Sequence, residues 1–258
     1  MTQVAATVSA LLGMPPPAQA KGEPIEDIVS DLKGARRVAL LALDAFGTYA
    51  WGLWRGEMPF LDSLHTRRSI TLRSVMPSIT PVNFATMVTG TDLEGHRIET
   101  FDHDFACETL FDVVRRAGGQ SAGVGLTGFT GTKLLGRHAD IDGDGGEPIS
   151  DDADDGVADK IIEIVEAYQP EFLIAQLGKT DDVFHREGPS SPAVVPMLRE
   201  TDVRMKKLVE YLQARGYGIV VLADHGQHDI EGAPEGQMKG THGTDSPKDV
   251  LVPCTWIS

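Results

Sequence analysis

The chain has little positive charge, few cysteines and no long apolar run. Its 258 residues include 23 Lys and Arg against 38 Asp and Glu, which gives a formal net charge of −15. This balance argues against binding to a nucleic-acid polymer, because its phosphates would be repelled. No apolar run approaches the roughly 18 residues that a membrane span needs. The sequence therefore predicts neither a nucleic-acid polymer nor a membrane as a partner.

The cysteine content and the N-terminus bear on the compartment. Cys107 and Cys254 lie far apart and form no CxxC or CxxH pattern, so a disulfide is not indicated. Ala18-Gln19-Ala20 resembles a signal-peptidase site, but no positive charge precedes it and three consecutive prolines interrupt the segment. We therefore expect residues 1–36 to form an N-terminal helix and linker, and the protein to be cytoplasmic.

What is present is an alternation of apolar runs with amphipathic segments. The runs at 38–43, 172–177 and 218–223 predict buried strands, and the helical spacing at 197–214 predicts a helix. This alternation is typical of an α/β fold with a mostly parallel central sheet and helices on both faces. We expect residues 37–258 to form one such domain.

Two segments rich in glycine do not fit the alternation. Residues 47–58 combine glycines with aromatic side chains and predict a loop beside the first strand. Residues 127–156 are rich in glycine and aspartate, and they predict a longer loop-rich insertion.

Acidic residues stand where the predicted buried strands end. One aspartate closes the first run, another closes the last, and a third follows the middle run after a few residues. Ligands of open α/β sheets bind outside the carboxyl ends of the strands, so these carboxylates should converge. Histidines accompany two of them, and Asp with His is a ligand set for divalent metals. The candidate ligands are Asp44, Asp181, His185, Asp224, His225 and His242.

A threonine between two prolines is a candidate nucleophile. Pro77 and Pro81 bracket Thr80 and place its hydroxyl at a turn or at the start of a helix. A hydroxyl there that is bound to a metal could attack phosphorus, and Asn83 could donate to a phosphate oxygen. The alternative is that Thr80 simply caps the helix.

Taken together, these segments resemble the alkaline phosphatase superfamily, and within it the type I phosphodiesterase/nucleotide pyrophosphatase branch. The motifs occur in the order of that branch and span residues 38–253. They are Asp44, Thr80 with Asn83, Thr89-Gly90, Asp181 with His185, Asp224-His225-Gly226 and His242-Gly243. The resemblance implies an alkaline phosphatase-like fold.

The resemblance also implies two divalent metal ions. One would be held by Asp181, His185 and His242. The other would be held by Asp44, Asp224 and His225, with Thr80 reaching it. The implied metals are zinc ions, with manganese as the alternative.

The implied reaction is hydrolysis of a phosphodiester or a nucleotide pyrophosphate. Thr80 would attack phosphorus to give a phosphothreonine intermediate, which water would then hydrolyse, and Asn83 would stabilise the transition state. The partner would be a small-molecule phosphate ester, with a nucleotide as one candidate. A phosphomonoesterase or phosphonate hydrolase with the same metals is the alternative, and the oligomeric state does not follow from the sequence.

Three positions leave questions open. Ala45 stands where the family usually has Gly, and Asp182 competes with Asp181 for the ligand position, although the four-residue step to His185 favours Asp181. Arg186 is a candidate substrate contact. The chain is also short for this branch, which leaves the substrate undetermined.

A separate acidic segment matches the first half of a calcium-binding loop. Asp140, Asp142 and Asp144 occupy positions one, three and five, Gly145 occupies position six, and Asp151 occupies position twelve, where Glu is usual. A solvated acidic loop is the competing interpretation. If calcium binds there and the first site is silent, the chain would be a non-catalytic metal-binding protein.

Overall fold

A computed structural model describes residues 1–146 and 153–258. Over these residues the main sheet has seven strands in the order β2-β9-β6-β1-β5-β3-β4, and a further pair, β7 with β8, lies apart from it. The strands are β1 (Arg37–Leu43), β2 (Ser69–Arg73), β3 (Ser121–Gly125), β4 (Ile141–Asp144), β5 (Phe172–Leu177), β6 (Tyr217–Leu222), β7 (His228–Asp229), β8 (Gly240–Thr241) and β9 (Leu251–Ile257).

The middle of the sheet is parallel and one side of it is antiparallel. Strand β1 pairs in parallel with both β5 and β6, and β3 continues the parallel part beyond β5. Strand β9 runs antiparallel to β6 and to β2. The predicted mostly parallel α/β sheet is therefore confirmed.

Helices cover the sheet in two groups, as expected from strands that are apolar on both sides. Helix α1 contacts α5, which contacts α7, whereas α10 contacts α4 and α8. The helices are α1 (Gln3–Leu11), α2 (Glu26–Asp31), α3 (Thr48–Trp54), α4 (Pro59–Arg67), α5 (Thr80–Thr89), α6 (Leu93–His96), α7 (Leu110–Arg116), α8 (Ala153–Ala167), α9 (Lys179–Glu187), α10 (Val195–Gln213) and α11 (Pro247–Val250).

The core is built around β1. Each residue from Val38 to Ala42 is fully buried, because helices cover both faces and strands flank both edges. Burial of each large apolar side chain contributes about 1.5–3 kcal/mol relative to exposure. The segment expected to be an N-terminal helix and linker also joins this core, since Val4, Ala5 and Val8 of α1 are buried in it.

The loop predicted at 47–58 is wrong, because α3 and a short 3-10 helix at Arg55–Glu57 occupy that segment. Aromatic and glycine composition obscured a helix that tertiary contacts stabilise. The Trp51 ring meets Phe46 edge-on at 6.0 Å, and Trp54 Nε1 donates to the Pro189 carbonyl at 2.7 Å.

The loop-rich insertion predicted at 127–156 is also wrong for most of its described part. A π-helix covers Thr130–Gly136, and β4 forms an edge strand paired in parallel with β3. Strand pairing overrides the weak strand propensity of Asp and Gly, since the ladder uses backbone groups that every residue here supplies.

The predicted calcium loop falls largely on that edge strand. Asp142 and Asp144 lie in extended β4, which does not wrap around an ion as a calcium loop must. Both oxygens of Asp140 are already engaged, one by Arg115 at 2.7 Å and the other by the Ser121 hydroxyl at 2.6 Å. Asp151 lies outside the described residues.

Among the helices that the structure describes, none is both long enough and apolar enough to cross a bilayer.

The two thiols should differ sharply in reactivity. Cys254 is fully buried on β9, and this burial raises the pKa of its thiol to about 12. Cys107 is partly exposed, although burial raises its pKa as well. We expect Ellman's reagent to modify at most Cys107 in the native protein and both thiols after unfolding. Cys107→Ser should abolish the native reaction, and release of two equivalents from folded protein would contradict the buried position of Cys254.

Candidate metal and phosphoester site

The site begins at the carboxyl ends of three adjacent parallel strands. Leu43 of β1 pairs with Leu177 of β5, and Ala42 pairs with Leu222 of β6. The chain therefore leaves all three strands at the same end of the sheet, the end formed by their carboxyl termini. Asp44 and Asp224 stand directly beyond that end, and both are buried, with 3% and 0% of their surface exposed.

Helix α9 starts at once after β5 and supplies one candidate metal group. Asp181 and His185 are one turn apart, with 3.4 Å between His185 Nε2 and Asp181 Oδ1. His242 approaches from the far end of the chain, with its Nε2 3.6 Å from the same oxygen. A ligand atom from each of these three residues lies within 4.8 Å of the others.

A second group adjoins the first. Asp44, Asp181 and His225 also place ligand atoms within 4.8 Å of one another. His225 Nε2 lies 3.5 Å from Asp44 Oδ1 and 3.2 Å from Asp224 Oδ2. The structure thus brings together all six predicted Asp and His ligands, and Asp181 belongs to both groups whereas Asp182 belongs to neither.

Thr80 is the first residue of α5, but its hydroxyl does not cap that helix. The capping position is Ile79, and no side chain caps the helix. Thr80 Oγ1 lies instead 3.1 Å from His225 Nε2 and 3.4 Å from Asp44 Oδ1. The start of α5 therefore delivers the hydroxyl to the second metal group.

The three histidines share one hydrogen-bonding arrangement. Each places Nδ1 against a backbone carbonyl, which can only accept, so Nδ1 must carry the proton. The lone pair then resides on Nε2, which is the form that binds a metal. The contacts are His185 to Gly240 at 2.9 Å, His225 to Gly226 at 3.1 Å and His242 to Ser78 at 3.0 Å.

Burial and neighbouring charges shift the pKa values of the candidate ligands. Burial and the neighbouring charges of Asp224 and Asp181 raise the pKa of Asp44 well above its usual range. Burial likewise raises the pKa of Asp224. Burial also opposes ionisation of Asp181, but the neighbouring His185 ring outweighs burial and lowers the pKa of Asp181. Burial lowers the pKa of His242 to about 4, so that ring is neutral at physiological pH.

These features fit a divalent metal. Asp224 Oδ2 is buried without a hydrogen-bond partner among the described residues, although it faces His225 Nε2. A cation between such atoms would satisfy the acceptors and offset the repulsion between carboxylates. Mixed carboxylate and imidazole ligands suit zinc and manganese.

A cavity of about 260 Å³ opens beside the ligands. Its wall combines the reactive hydroxyl and several ligands with a set of apolar side chains. The lining residues are Asp44, Ile79, Thr80, Pro81, Phe101, Leu126, Phe129, Gln176, Gly178, Asp181, Asp182 and His242.

Two residues singled out in the sequence do not line this cavity. Asn83 is fully buried, and its side chain bonds to the loop before α5, accepting from Val75 N at 2.8 Å and donating to Ile79 O at 3.2 Å. Asn83 thus shapes the loop that presents Thr80 and does not reach the cavity. Arg186 is exposed, and its Nε lies 3.0 Å from Glu187 Oε1.

Two glutamines position ligands, and the sequence analysis did not single them out. Gln176 Nε2 donates to Asp44 Oδ2, and Gln227 Nε2 donates to Asp181 Oδ1 at 2.6 Å. In the sequence, Gln176 could have been noticed as the single polar residue within an otherwise apolar strand. Gln227, two residues after His225, offered no comparable signal.

Backbone geometry explains the glycine in the Asp-His-Gly motif. A Cβ on Gly226 would lie 2.1 Å from the Lys248 carbonyl oxygen, so only glycine allows this approach. Ala45, where the family usually has Gly, adopts φ 59° in the left-handed region. Its N–H donates to Asp224 Oδ1 at 3.1 Å and so joins the ends of β1 and β6.

Comparison with known proteins identifies the family. The model of the type I phosphodiesterase / nucleotide pyrophosphatase family matches residues 38–106 and 140–242, more than half of the chain. The chain belongs to this family. The resemblance seen in the motifs is therefore confirmed, and the family is one of hydrolases that depend on divalent metals.

The curated relatives include a phosphomutase as well as phosphodiesterases. The 2,3-bisphosphoglycerate-independent phosphoglycerate mutase of Caenorhabditis elegans is 34% identical over 87 residues, which are 34% of this chain and 16% of that protein. Venom phosphodiesterase 2 of Crotalus adamanteus is 26% identical over 216 residues, which are 74% of this chain and 27% of that protein. The chain spans only 16% to 27% of the length of the curated relatives it matches.

Solved structures show the same fold. Murine ectonucleotide pyrophosphatase / phosphodiesterase 5 aligns with a TM-score of 0.67 at 15% identity, covering 84% of this chain and 87% of that one. An inactive threonine-to-alanine variant of that protein has been solved in complex with AMP. Phosphonoacetate hydrolase from Sinorhizobium meliloti aligns with a TM-score of 0.58 at 20% identity, covering 77% and 59%.

The close approach of the Lys248 carbonyl to Gly226 predicts that a side chain at this position destabilises the fold. Gly226→Ala should lower the free energy of unfolding by about 1–3 kcal/mol, because a backbone carbonyl must move to admit the methyl group. Gly52→Ala is the matched control, since a Cβ at Gly52 in α3 would meet nothing within 4 Å. It should stabilise the protein by about 0.5–1 kcal/mol. Urea titration followed by circular dichroism measures both, and equal effects would refute the close approach.

The competing ligand positions can be separated by metal content. Asp181→Asn should lower bound zinc strongly, since Asp181 belongs to both candidate groups. Asp182→Asn is the adjacent matched variant and should retain zinc. Each protein is loaded with zinc, dialysed, and measured by inductively coupled plasma mass spectrometry. Loss of zinc from the Asp182 variant alone would assign the ligand to Asp182.

Proposed function

We propose that the chain hydrolyses a phosphodiester or nucleotide pyrophosphate by way of a covalent phosphothreonine intermediate on Thr80, with two zinc ions as cofactors and manganese as the alternative. The observation that carries the proposal is the position of the Thr80 hydroxyl. It is turned away from the helix it begins and toward Asp44 and His225.

The reaction divides between Thr80 and water. Thr80 Oγ1 forms a bond to phosphorus while the bond from phosphorus to the leaving alcohol breaks, and that alcohol departs with a proton. Water then cleaves the threonine ester, so the net change is addition of one water across the original bond. When bound, the metals would stabilise the threonine oxygen as an alkoxide and draw charge from the phosphate oxygens.

The surrounding residues fix the geometry of this attack. Asn83 holds the loop before α5, and Gln176 and Gln227 orient Asp44 and Asp181 through hydrogen bonds. Such contacts keep ligand side chains in one rotamer, which catalysis by positioning requires. Transition-state stabilisation by Asn83 itself is not part of this proposal, because its side chain is committed to the loop.

A diester is favoured over a monoester. Among the described residues that line the cavity, none is Lys or Arg, so no side-chain cation is available for the extra charge of a monoester. The solved AMP complex of the related murine protein supports a nucleotide as one candidate substrate. Phosphonate hydrolysis remains the second candidate, since a phosphonoacetate hydrolase shares the fold.

The first test compares two chromogenic substrates. Zinc-reconstituted protein should hydrolyse bis-p-nitrophenyl phosphate faster than p-nitrophenyl phosphate. Thr80→Ala should lower diester turnover by about 1000-fold or more, because the nucleophile is gone. Thr66→Ala, an exposed threonine on α4, is the control and should be unaffected. Acid quenching during turnover should trap phosphorus on the peptide that contains Thr80. Full activity of the Thr80 variant would refute the covalent route.

A further inference from the structure

We infer that Asp154, which lies outside the ligand set, is a positioning residue that holds helix α9 in place for the binding of one metal ion. The inference rests on the proposed function and deepens it, because it identifies a distant contact that keeps two of the candidate ligands aligned. It follows from the way in which α9 begins, from the burial of Asp154 and from the two ligands that α9 carries.

Helix α9 has no cap from its own segment. Its capping position is Gly178, which has no side chain that could accept from the free N–H groups of the first turn. A Cβ on Gly178 would lie 2.6 Å from Leu126 Cδ1, so a capping side chain here would displace part of the cavity wall. The start of α9 therefore takes its acceptor from another part of the chain.

Asp154 provides that acceptor from the first turn of α8. Its Oδ1 accepts from the N–H of Gly178 at 2.8 Å and from the N–H of Lys179 at 3.2 Å. A carboxylate beside the first N–H groups of a helix is favoured by these hydrogen bonds and by the helix dipole. Asp154 thus caps α9 from a neighbouring helix.

The capping carboxylate is shielded from solvent. Asp154 is 1% exposed, and its Oδ2 faces Arg204 Nη1 of α10 at 3.9 Å. Arg204 is itself buried, and its Nε donates to Asp155 Oδ1 at 2.8 Å. Burial raises the pKa of Asp154 to about 6, so the carboxylate is charged above neutral pH. Because water does not compete for these hydrogen bonds, the cap should restrain α9 more firmly than an exposed one.

The restraint bears on the metal ligands because α9 carries two of them. Asp181 lies in the first turn of α9, and His185 lies one turn later. Both belong to the group that His242 completes, whereas the second group takes only Asp181 from α9. Outer contacts that orient ligands typically contribute 10–100-fold to metal affinity. Loss of the cap should therefore weaken the first metal position more than the second.

The test measures zinc affinity in matched variants. Asp154→Ala removes the acceptor, and Asp154→Asn keeps a side-chain oxygen for the same two N–H groups. Asp159→Ala is the control, because Asp159 is an exposed aspartate on the same helix. Zinc is titrated into metal-free protein at slightly alkaline pH in competition with a chromogenic chelator, so that the two binding steps are resolved.

We expect Asp154→Ala to weaken one of the two zinc-binding steps by about 10–100-fold and to leave the other nearly unchanged. Asp154→Asn should recover most of this loss, and Asp159→Ala should bind both ions as the wild type does. If the Ala variant does not fold, Asp154→Leu fills a similar volume without an acceptor and should show the same selective loss.

Hydrogen exchange on metal-free protein reports on the cap itself. The peptide that covers α9 should exchange faster in Asp154→Ala than in the wild type, and the peptide that covers β6 should be unchanged. Faster exchange without a selective loss of zinc would make Asp154 a structural cap only and overturn the inference. Equal weakening of both zinc-binding steps would overturn it as well.

Zinc binding requires no turnover, so this experiment separates the inference from the proposed function. If Asp154→Ala selectively loses one zinc ion but wild-type protein hydrolyses no phosphoester, the hydrolytic function fails and the positioning role stands. If wild-type protein hydrolyses a diester and Asp154→Ala has unchanged zinc affinities, the function stands and the inference fails. Wild-type protein that binds no zinc would overturn both.

Discussion

The structure depends on the burial of mutually repelling carboxylates at the carboxyl ends of the central parallel strands. Asp44 and Asp224 are almost inaccessible to solvent, burial raises the pKa of both, and the charges of Asp224 and Asp181 raise that of Asp44 further. Such a cluster is destabilising unless cations or protons compensate it. The fold therefore commits part of its stability to a candidate metal site. The flanking strands β5 and β6 hold the carboxylates at this end through their parallel pairing with β1.

Around these acids, neighbouring groups fix the tautomer of each candidate histidine ligand and hold two of the carboxylates in place. Backbone carbonyls hold the protons of the three histidines on Nδ1, and two glutamine amides donate to two of the carboxylates. The contacts come from segments far apart in sequence, including the loop at Ser78 and the short strand β8. Because backbone carbonyls provide three of them, the ligand geometry depends on how the loops pack as well as on which side chains are present.

The same packing decides what the site can do. Asn83 and its hydrogen bonds shape the loop before α5, so the helix begins with the Thr80 hydroxyl facing the ligands. The cavity in front of that hydroxyl has apolar and aromatic walls and one further acid, Asp182. Under the proposed function, its shape and charge, more than the ligand set, would distinguish one phosphoester substrate from another.

The sequence by itself determined the fold class and the family, and it singled out the Asp and His residues that the structure brings together, because apolar strands, strand-end aspartates and short motifs are local patterns. Local patterns gave wrong loop predictions where the glycine, aromatic or aspartate content is untypical of the element that forms, as in helix α3 and edge strand β4. Only the tertiary structure excluded Asn83 and Arg186 from the cavity and brought Gln176 and Gln227 to the ligands. Each depends on which distant segment a side chain meets, and that is set by strand order and loop packing rather than by spacing along the chain.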